Sequence, residues 1–236
     1  MSERTITHDF RGQQLNSVYV GTGGAVRGTV IMVPTVVGIS DLEKGFAQDL
    51  AQRGYACLIA DLWGRSYTGT GERDEAFAHL NRLKSDRAAL RERLLDIVEV
   101  AKAQEGTDPA RIAAIGFCFG GLCVLDLARS GAPIAGVASF HGLFDAPDLP
   151  PQPIKAKVVA YHGWDDPMVP PDAVVALAKE LTEAGADWQI HGYGHTGHGF
   201  TNPKAAALGI PGVDYNALAA RRSWAALYDY LDELFS

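Results

Sequence analysis

Gly116-Phe117-Cys118-Phe119-Gly120 follows the apolar run Arg111-Ile112-Ala113-Ala114-Ile115 and opens the apolar segment Gly121-Leu122-Cys123-Val124-Leu125. The order is strand, tight turn, helix, with a thiol at the tip. It is a Gly-x-nucleophile-x-Gly elbow with cysteine in the place of serine. The glycines have a steric reason. The turn holds the nucleophile at strained backbone angles, and bulky neighbours would strike the adjacent strand and helix. The helix that starts here points its positive end at the thiol, which favours thiolate.

Outward from the elbow, apolar runs and helical patterns alternate. Residues 5–20 read as a polar hairpin. Residues 29–33 and 55–60 are apolar runs of strand type. Between them residues 41–53 read as a helix that stops at Gly54. Residues 61–73 read as a glycine-containing loop, and residues 86–104 as a long amphipathic helix. Past the elbow come strands at 134–140, 157–161 and 188–191, a proline-rich loop at 145–152, and helices at 172–183 and 215–235. Strands alternating with helices predict an α/β class: a mainly parallel sheet covered on both faces. No repeat or linker interrupts residues 1–236, so one domain is expected.

Composition narrows the partners. The chain has 236 residues, 47% of them hydrophobic, and a net charge of -7. With no basic run, nucleic acid and acidic membrane surfaces are excluded as expected partners. No apolar run is long enough to span a membrane. The start, Met1-Ser2-Glu3-Arg4-Thr5, is polar and carries no signal pattern. Three cysteines without framework spacing, Cys57, Cys118 and Cys123, fit a reduced protein. A cytoplasmic location is the expectation. Cys57 lies inside a strand, and Cys123 is turned off the elbow's exposed side, so both read as packing residues.

A cysteine at an elbow needs a base, and the base an orienting carboxylate. On this type of scaffold the acid precedes the histidine, both after the nucleophile. Tyr161-His162-Gly163-Trp164-Asp165-Asp166-Pro167-Met168-Val169-Pro170 follows a strand and offers Asp166, with Asp165 as competitor. Tyr193-Gly194-His195-Thr196-Gly197-His198-Gly199-Phe200 follows the last strand and offers His198, with His195 second. An elbow also implies an oxyanion hole. One donor is the backbone N–H of Phe119. The second comes from the loop Val33-Pro34-Thr35-Val36-Val37-Gly38, with Val36 as the candidate. Trp63, Tyr67 and Trp164 fall on loops at the carboxyl edge of the sheet, where they could line a pocket or serve packing. His141, which ends the strand beside the elbow strand, could approach the site or make a structural hydrogen bond.

These residues together resemble the dienelactone hydrolase family of α/β hydrolases. Gly116 to Gly121 match its Gly-x-Cys-x-Gly-Gly elbow, and Gly163 to Pro170 its Gly-x-x-Asp-x-x-Val-Pro acid loop. His198-Gly199-Phe200 match its terminal histidine segment. The resemblance covers nearly the whole chain and implies an α/β-hydrolase fold. It implies hydrolysis of a small-molecule carboxylic ester or lactone, with no metal or organic cofactor. In that reading Cys118 attacks, His198 moves the proton, Asp166 orients His198, and the Phe119 and Val36 amides hold the oxyanion. Two positions depart from members that act on dienelactone. Thr35 stands where they carry a glutamate that meets the resting cysteine. Asn202 stands where they place a carboxylate-binding arginine. Both count against dienelactone as substrate and leave the triad types intact. Arg65, Arg73 and Arg82 are the remaining cations for an anionic substrate, unless they are merely solvated. Thioesterase, peptidase or acyltransferase chemistry, or a degenerate ligand-binding role, are the alternatives on the same scaffold.

Overall fold

Eight strands build one sheet in the computed structural model, which describes residues 2–69 and 71–236. In chain order they are β1 (Ser2–Phe10), β2 (Gln13–Gly21), β3 (Gly28–Val33), β4 (Tyr55–Ile59), β5 (Ile112–Phe117), β6 (Gly136–Phe140), β7 (Lys157–Gly163) and β8 (Trp188–Tyr193). The helices are α1 (Asp41–Gln52), α2 (Arg73–Ser85), α3 (Arg87–Lys102), α4 (Phe119–Arg129), α5 (Pro171–Glu183) and α6 (Ala217–Leu234). The spatial order is β1-β2-β4-β3-β5-β6-β7-β8. β1/β2 and β2/β4 pair antiparallel, and every later pair is parallel. The expected α/β-hydrolase architecture, a mainly parallel sheet between helices, is what the chain forms.

The period-2 alternation of side chains sorts the central strands into two apolar layers. On one face Ile31 and Val33 of β3, Ile112 and Ala114 of β5, and Val158 and Ala160 of β7 pack with Leu94 and Ile97 of α3 and Leu122 and Leu125 of α4. On the other, Val30, Met32, Ala113, Ile115, Phe117, Val159 and Tyr161 pack with Leu50 of α1 and Leu227 and Leu231 of α6. Because β3 and β5 bury side chains on both faces, they read as continuous apolar runs, as parallel central strands do. No helix among the described residues is long and apolar enough to cross a membrane.

Local chemistry fixes several boundaries. Ser40 and Glu43 close a capping box at the start of α1, an arrangement that contributes about 1 kcal/mol. Gly54, with φ of 88°, follows that helix's last turn. Helix α2 differs from expectation, since the loop read over 61–73 gives way at Arg73 to a helix that runs to Ser85. Thr70, inside that loop, lies outside the described residues. Glu72 precedes α2 without a side-chain cap, and only the acidic first turn, Asp74 and Glu75, marks its start. A short 3-10 turn, Ala205–Leu208, was likewise not anticipated.

Helix α4 is clamped by a buried ionic group. Arg87 of α3 makes two 2.5 Å bonds to the Asp126 carboxylate, and Arg129 reaches both Asp126 and Glu180 of α5. Arg129 also donates to the carbonyls of Phe144 and Asp145. Asp126→Ala would leave two guanidinium groups short of a partner. It is expected to lower the urea unfolding free energy by about 3–5 kcal/mol; a loss below about 1 kcal/mol would show that the group is not a clamp.

Candidate active site

Strand β5 ends at Phe117 and α4 begins at Phe119, so Cys118 alone makes the turn. Its φ of 55° and ψ of -115° are strained for a residue with a side chain. Two close approaches hold it there. A Cβ on Gly116 would lie 2.0 Å from the Gly120 carbonyl oxygen, and one on Gly120 would lie 2.1 Å from that of Val33. The elbow therefore presses backbone against backbone, onto the end of β3. The Cys118 N–H donates to the Phe140 carbonyl (3.1 Å), which ties the turn to β6. Cys118 is half-buried, while Cys57 and Cys123 are fully buried. Burial pushes both of those thiols up, away from thiolate at neutral pH.

The two loops that offered a carboxylate and a histidine meet, and they separate the competing residues. Nδ1–H of His198 donates to Asp166 Oδ2 at 2.7 Å, with both side chains buried. Asp166 Oδ1 accepts the Met168 N–H at 2.8 Å. His195 instead sits 3.8 Å from Asp165 on the surface, with both side chains exposed. The backbone N–H of Asp165 donates to the Thr196 carbonyl at 3.0 Å, joining the two loops. The His198 backbone is bracketed by Gly212 and Asp214.

His198 Nε2 is buried and has no partner at hydrogen-bond length among the described residues. Cys118 still governs it electrostatically. Burial disfavours the imidazolium, but the charge of a Cys118 thiolate and the bond to Asp166 outweigh burial and raise the His198 pKa to about 10. The arrangement can hold a thiolate–imidazolium pair.

The loop after β3 lies across from the elbow. Neither the Phe119 N–H nor the Val36 N–H donates a hydrogen bond among the described residues. The loop is pinned by Gly38 N–H to Thr35 carbonyl (3.1 Å), Tyr67 N–H to Val37 carbonyl (2.7 Å) and Ser66 Oγ to Ile39 carbonyl (2.7 Å). Thr35 is half-buried. Beneath the loop the sequence reading missed Glu43, a buried carboxyl bonded by the Ser40 N–H and hydroxyl. Burial raises its pKa, against hydrogen bonds from Ser40 and from the Thr35 backbone.

The pocket candidates part company. Trp63 is buried and packs edge-on against Phe119, ring centroids 5.7 Å apart. Tyr67 is buried, with its hydroxyl 2.7 Å from Nδ1 of His79 on α2. His79 went unread because α2 did, although Ala76, Leu80 and Leu83 carry a helical spacing. Trp164 is 45% exposed and shields Gly192 near the end of β8. His141 is buried beside the His198 ring. Of the candidate cations, Arg65 pairs with Glu72 and Glu75, and Arg73 donates to the Leu208 carbonyl. Arg82 lines a cleft with Arg11 and Arg93. Asn202 caps its own turn by accepting the Lys204 N–H. No group of three or more His, Cys, Asp or Glu side chains able to hold a metal ion occurs among the described residues.

Gly120→Ala is expected to lower Tm by roughly 6–12 °C, since overpacking of this kind costs about 3 kcal/mol. A Tm within about 2 °C of the parent would mean that the elbow relaxes freely.

Comparison with known proteins places this geometry. The family model for the dienelactone hydrolase family matches residues 17–235. An uncharacterized protein of Caenorhabditis elegans is 34% identical over 158 residues, covering 65% of this chain and all of the worm protein. A Synechocystis protein that carries the name carboxymethylenebutenolidase is 26% identical over 209 residues, covering 83% of this chain and 81% of its own. Among solved structures, a dienelactone hydrolase-like promiscuous phosphotriesterase from metagenomic libraries is 31% identical. It superposes with a TM-score of 0.89 over 100% of this chain and 99% of its own. With a match that runs from β2 to the residue after α6, the chain belongs to the dienelactone hydrolase family.

Proposed function

We propose that the chain is a cysteine-dependent hydrolase of carboxylic esters or lactones. The observation that carries this reading is the strained Cys118 turn beside a buried His198–Asp166 pair. Cys118 Sγ attacks the substrate carbonyl and forms the C–S bond. The carbonyl π electrons move onto oxygen, and the Phe119 and Val36 N–H groups receive that oxyanion. Donors so placed contribute on the order of 3 kcal/mol each. When the oxyanion collapses, the C–O bond to the leaving group breaks. His198 Nε2–H protonates the departing alkoxide, and a thioester remains on Cys118. His198, now neutral, takes a proton from water as it attacks the thioester. The second oxyanion collapses with release of the carboxylic acid, and the thiolate–imidazolium pair is restored. Asp166 holds the Nδ1–H tautomer through both steps.

A glutamate at the Thr35 position and an arginine at the Asn202 position are not needed for these steps. With Asn202 in the place of that arginine, a neutral ester or lactone suits the site better than a carboxylate-bearing lactone. Phosphotriester hydrolysis is the second reading, favoured by the activity named for the 31% identical structure. There the same thiolate would attack phosphorus.

Cys118→Ala is expected to reduce turnover of short aryl esters and small lactones by at least ~10³-fold. Turnover within about 10-fold of the parent would remove Cys118 as the nucleophile. Asp166→Asn is expected to lower kcat by roughly 10²-fold or more, since the wrong His198 tautomer is then tolerated. The pH profile has a defined sign. His198 must be protonated to release the leaving group, so acylation is expected to fall as pH rises through about 10. An alkaline limb near the ordinary histidine value would contradict the ion pair.

A further inference from the structure

His141 occupies a place that the reaction steps leave unused. It follows β6 and has φ of 37°, the left-handed region that side-chain-bearing residues avoid. Its ring is buried. The peptide joining Phe140 to His141 is bonded on both sides. Its carbonyl accepts the Cys118 N–H at 3.1 Å, and its N–H donates to the Tyr161 carbonyl of β7 at 2.8 Å. The strained φ then turns the side chain onto the histidine loop. There Nε2 is 2.8 Å from Thr201 Oγ1, a buried bond across 60 residues of chain. The ring meets His198 edge-on at 5.2 Å between centroids, and Phe200 likewise at 5.2 Å. The Phe140–His141 peptide and the His141 ring together touch all three arms of the site: the elbow, the strand leading to Asp166, and the loop carrying His198.

We propose that His141, through its bond to Thr201, is a positioning residue that fixes the His198 ring relative to Cys118. The proposal rests on the Cys118–His198–Asp166 reading. His198 Nδ1 is already held by Asp166, but a single bond does not by itself set the tilt of the ring. The His141 edge sets that tilt from the side, and the Thr201 bond keeps the loop at the distance the edge requires. Strain at His141 fits this role, because unfavourable backbone angles persist where the surroundings enforce them at a working site. Burial, and the proximity of His198, hold His141 neutral. It therefore does not compete for the proton that His198 carries.

The test compares Thr201→Val, Thr201→Ser, His141→Phe and Cys118→Ala, each checked for a folded circular-dichroism spectrum and a cooperative melt. Two readouts are taken: steady-state kinetics on an aryl ester, and the rate of Cys118 alkylation by iodoacetamide at neutral pH. Alkylation reports this thiol alone, since Cys57 and Cys123 are buried. Thr201→Val and His141→Phe are expected to lower kcat and the alkylation rate together by about 10-fold or more, as small misplacements do. KM should stay within about 2-fold. Thr201→Ser, which keeps the hydroxyl, should restore both. If His141→Phe does not fold, the Thr201 pair decides alone. Folded Thr201→Val protein with unchanged kcat and alkylation would overturn the proposal. So would a raised KM at constant kcat, which would make this pair a substrate-binding element. Cys118→Ala separates the two levels of failure. If it is inactive while Thr201→Val is normal, only the positioning role falls. If it stays active, the site reading falls and takes the positioning role with it.

Discussion

Backbone-to-backbone contact at the elbow is the constraint on which the rest of the site depends. Gly116 and Gly120 let β5, α4 and the end of β3 meet with no room for a Cβ. At that contact Cys118 takes a positive φ and stays half-buried, where Cys57 and Cys123 are fully buried. The same contact brings the start of the loop after β3, Val33 and Pro34, against the first turn of α4. Position of the thiol and direction of the helix dipole follow from one steric fact.

Electrostatics complete what sterics begin. A lone buried histidine would be neutral, because burial disfavours its charge. The His198 pKa is raised to about 10, because negative charge at Cys118 and the bond to Asp166 outweigh that penalty. For the neighbouring buried histidines, His141 and His162, burial wins, even against the pull of Asp166 on His162, and drives them toward the neutral form. Three imidazoles lie close together, yet only one is set to carry a proton. This difference is produced by partners rather than by residue type.

Much of this was legible in the residues. The elbow, the two loops after it and the alternation of strands and helices follow from spacing and local chemistry, and the sheet was readable because β3, β5 and β7 are short apolar runs. Spacing favours Asp166 over Asp165 and His198 over His195, although the competitors lie on the same turns. Geometry separates them by burying one pair and leaving the other in solvent. Helix α2 was missed because Glu72 gives it no cap and glycines precede it, and His79 went with it. His141 was visible only as a neighbour of the site. Its links to Cys118, Tyr161 and Thr201 depend on register between β5, β6 and β7 and on a strained turn, none of which a single sequence encodes locally.

The central claim is that Cys118 forms a covalent thioester with the acyl half of the substrate. Rapid-quench kinetics on a slowly deacylated aryl ester, followed by mass analysis of the peptide containing Cys118, test it most directly. The account predicts a burst of about one equivalent of phenol per chain, with the acyl mass on Cys118. Accumulation of the phenol with no burst, together with an unmodified Cys118 peptide or an acyl group on another residue, would contradict it.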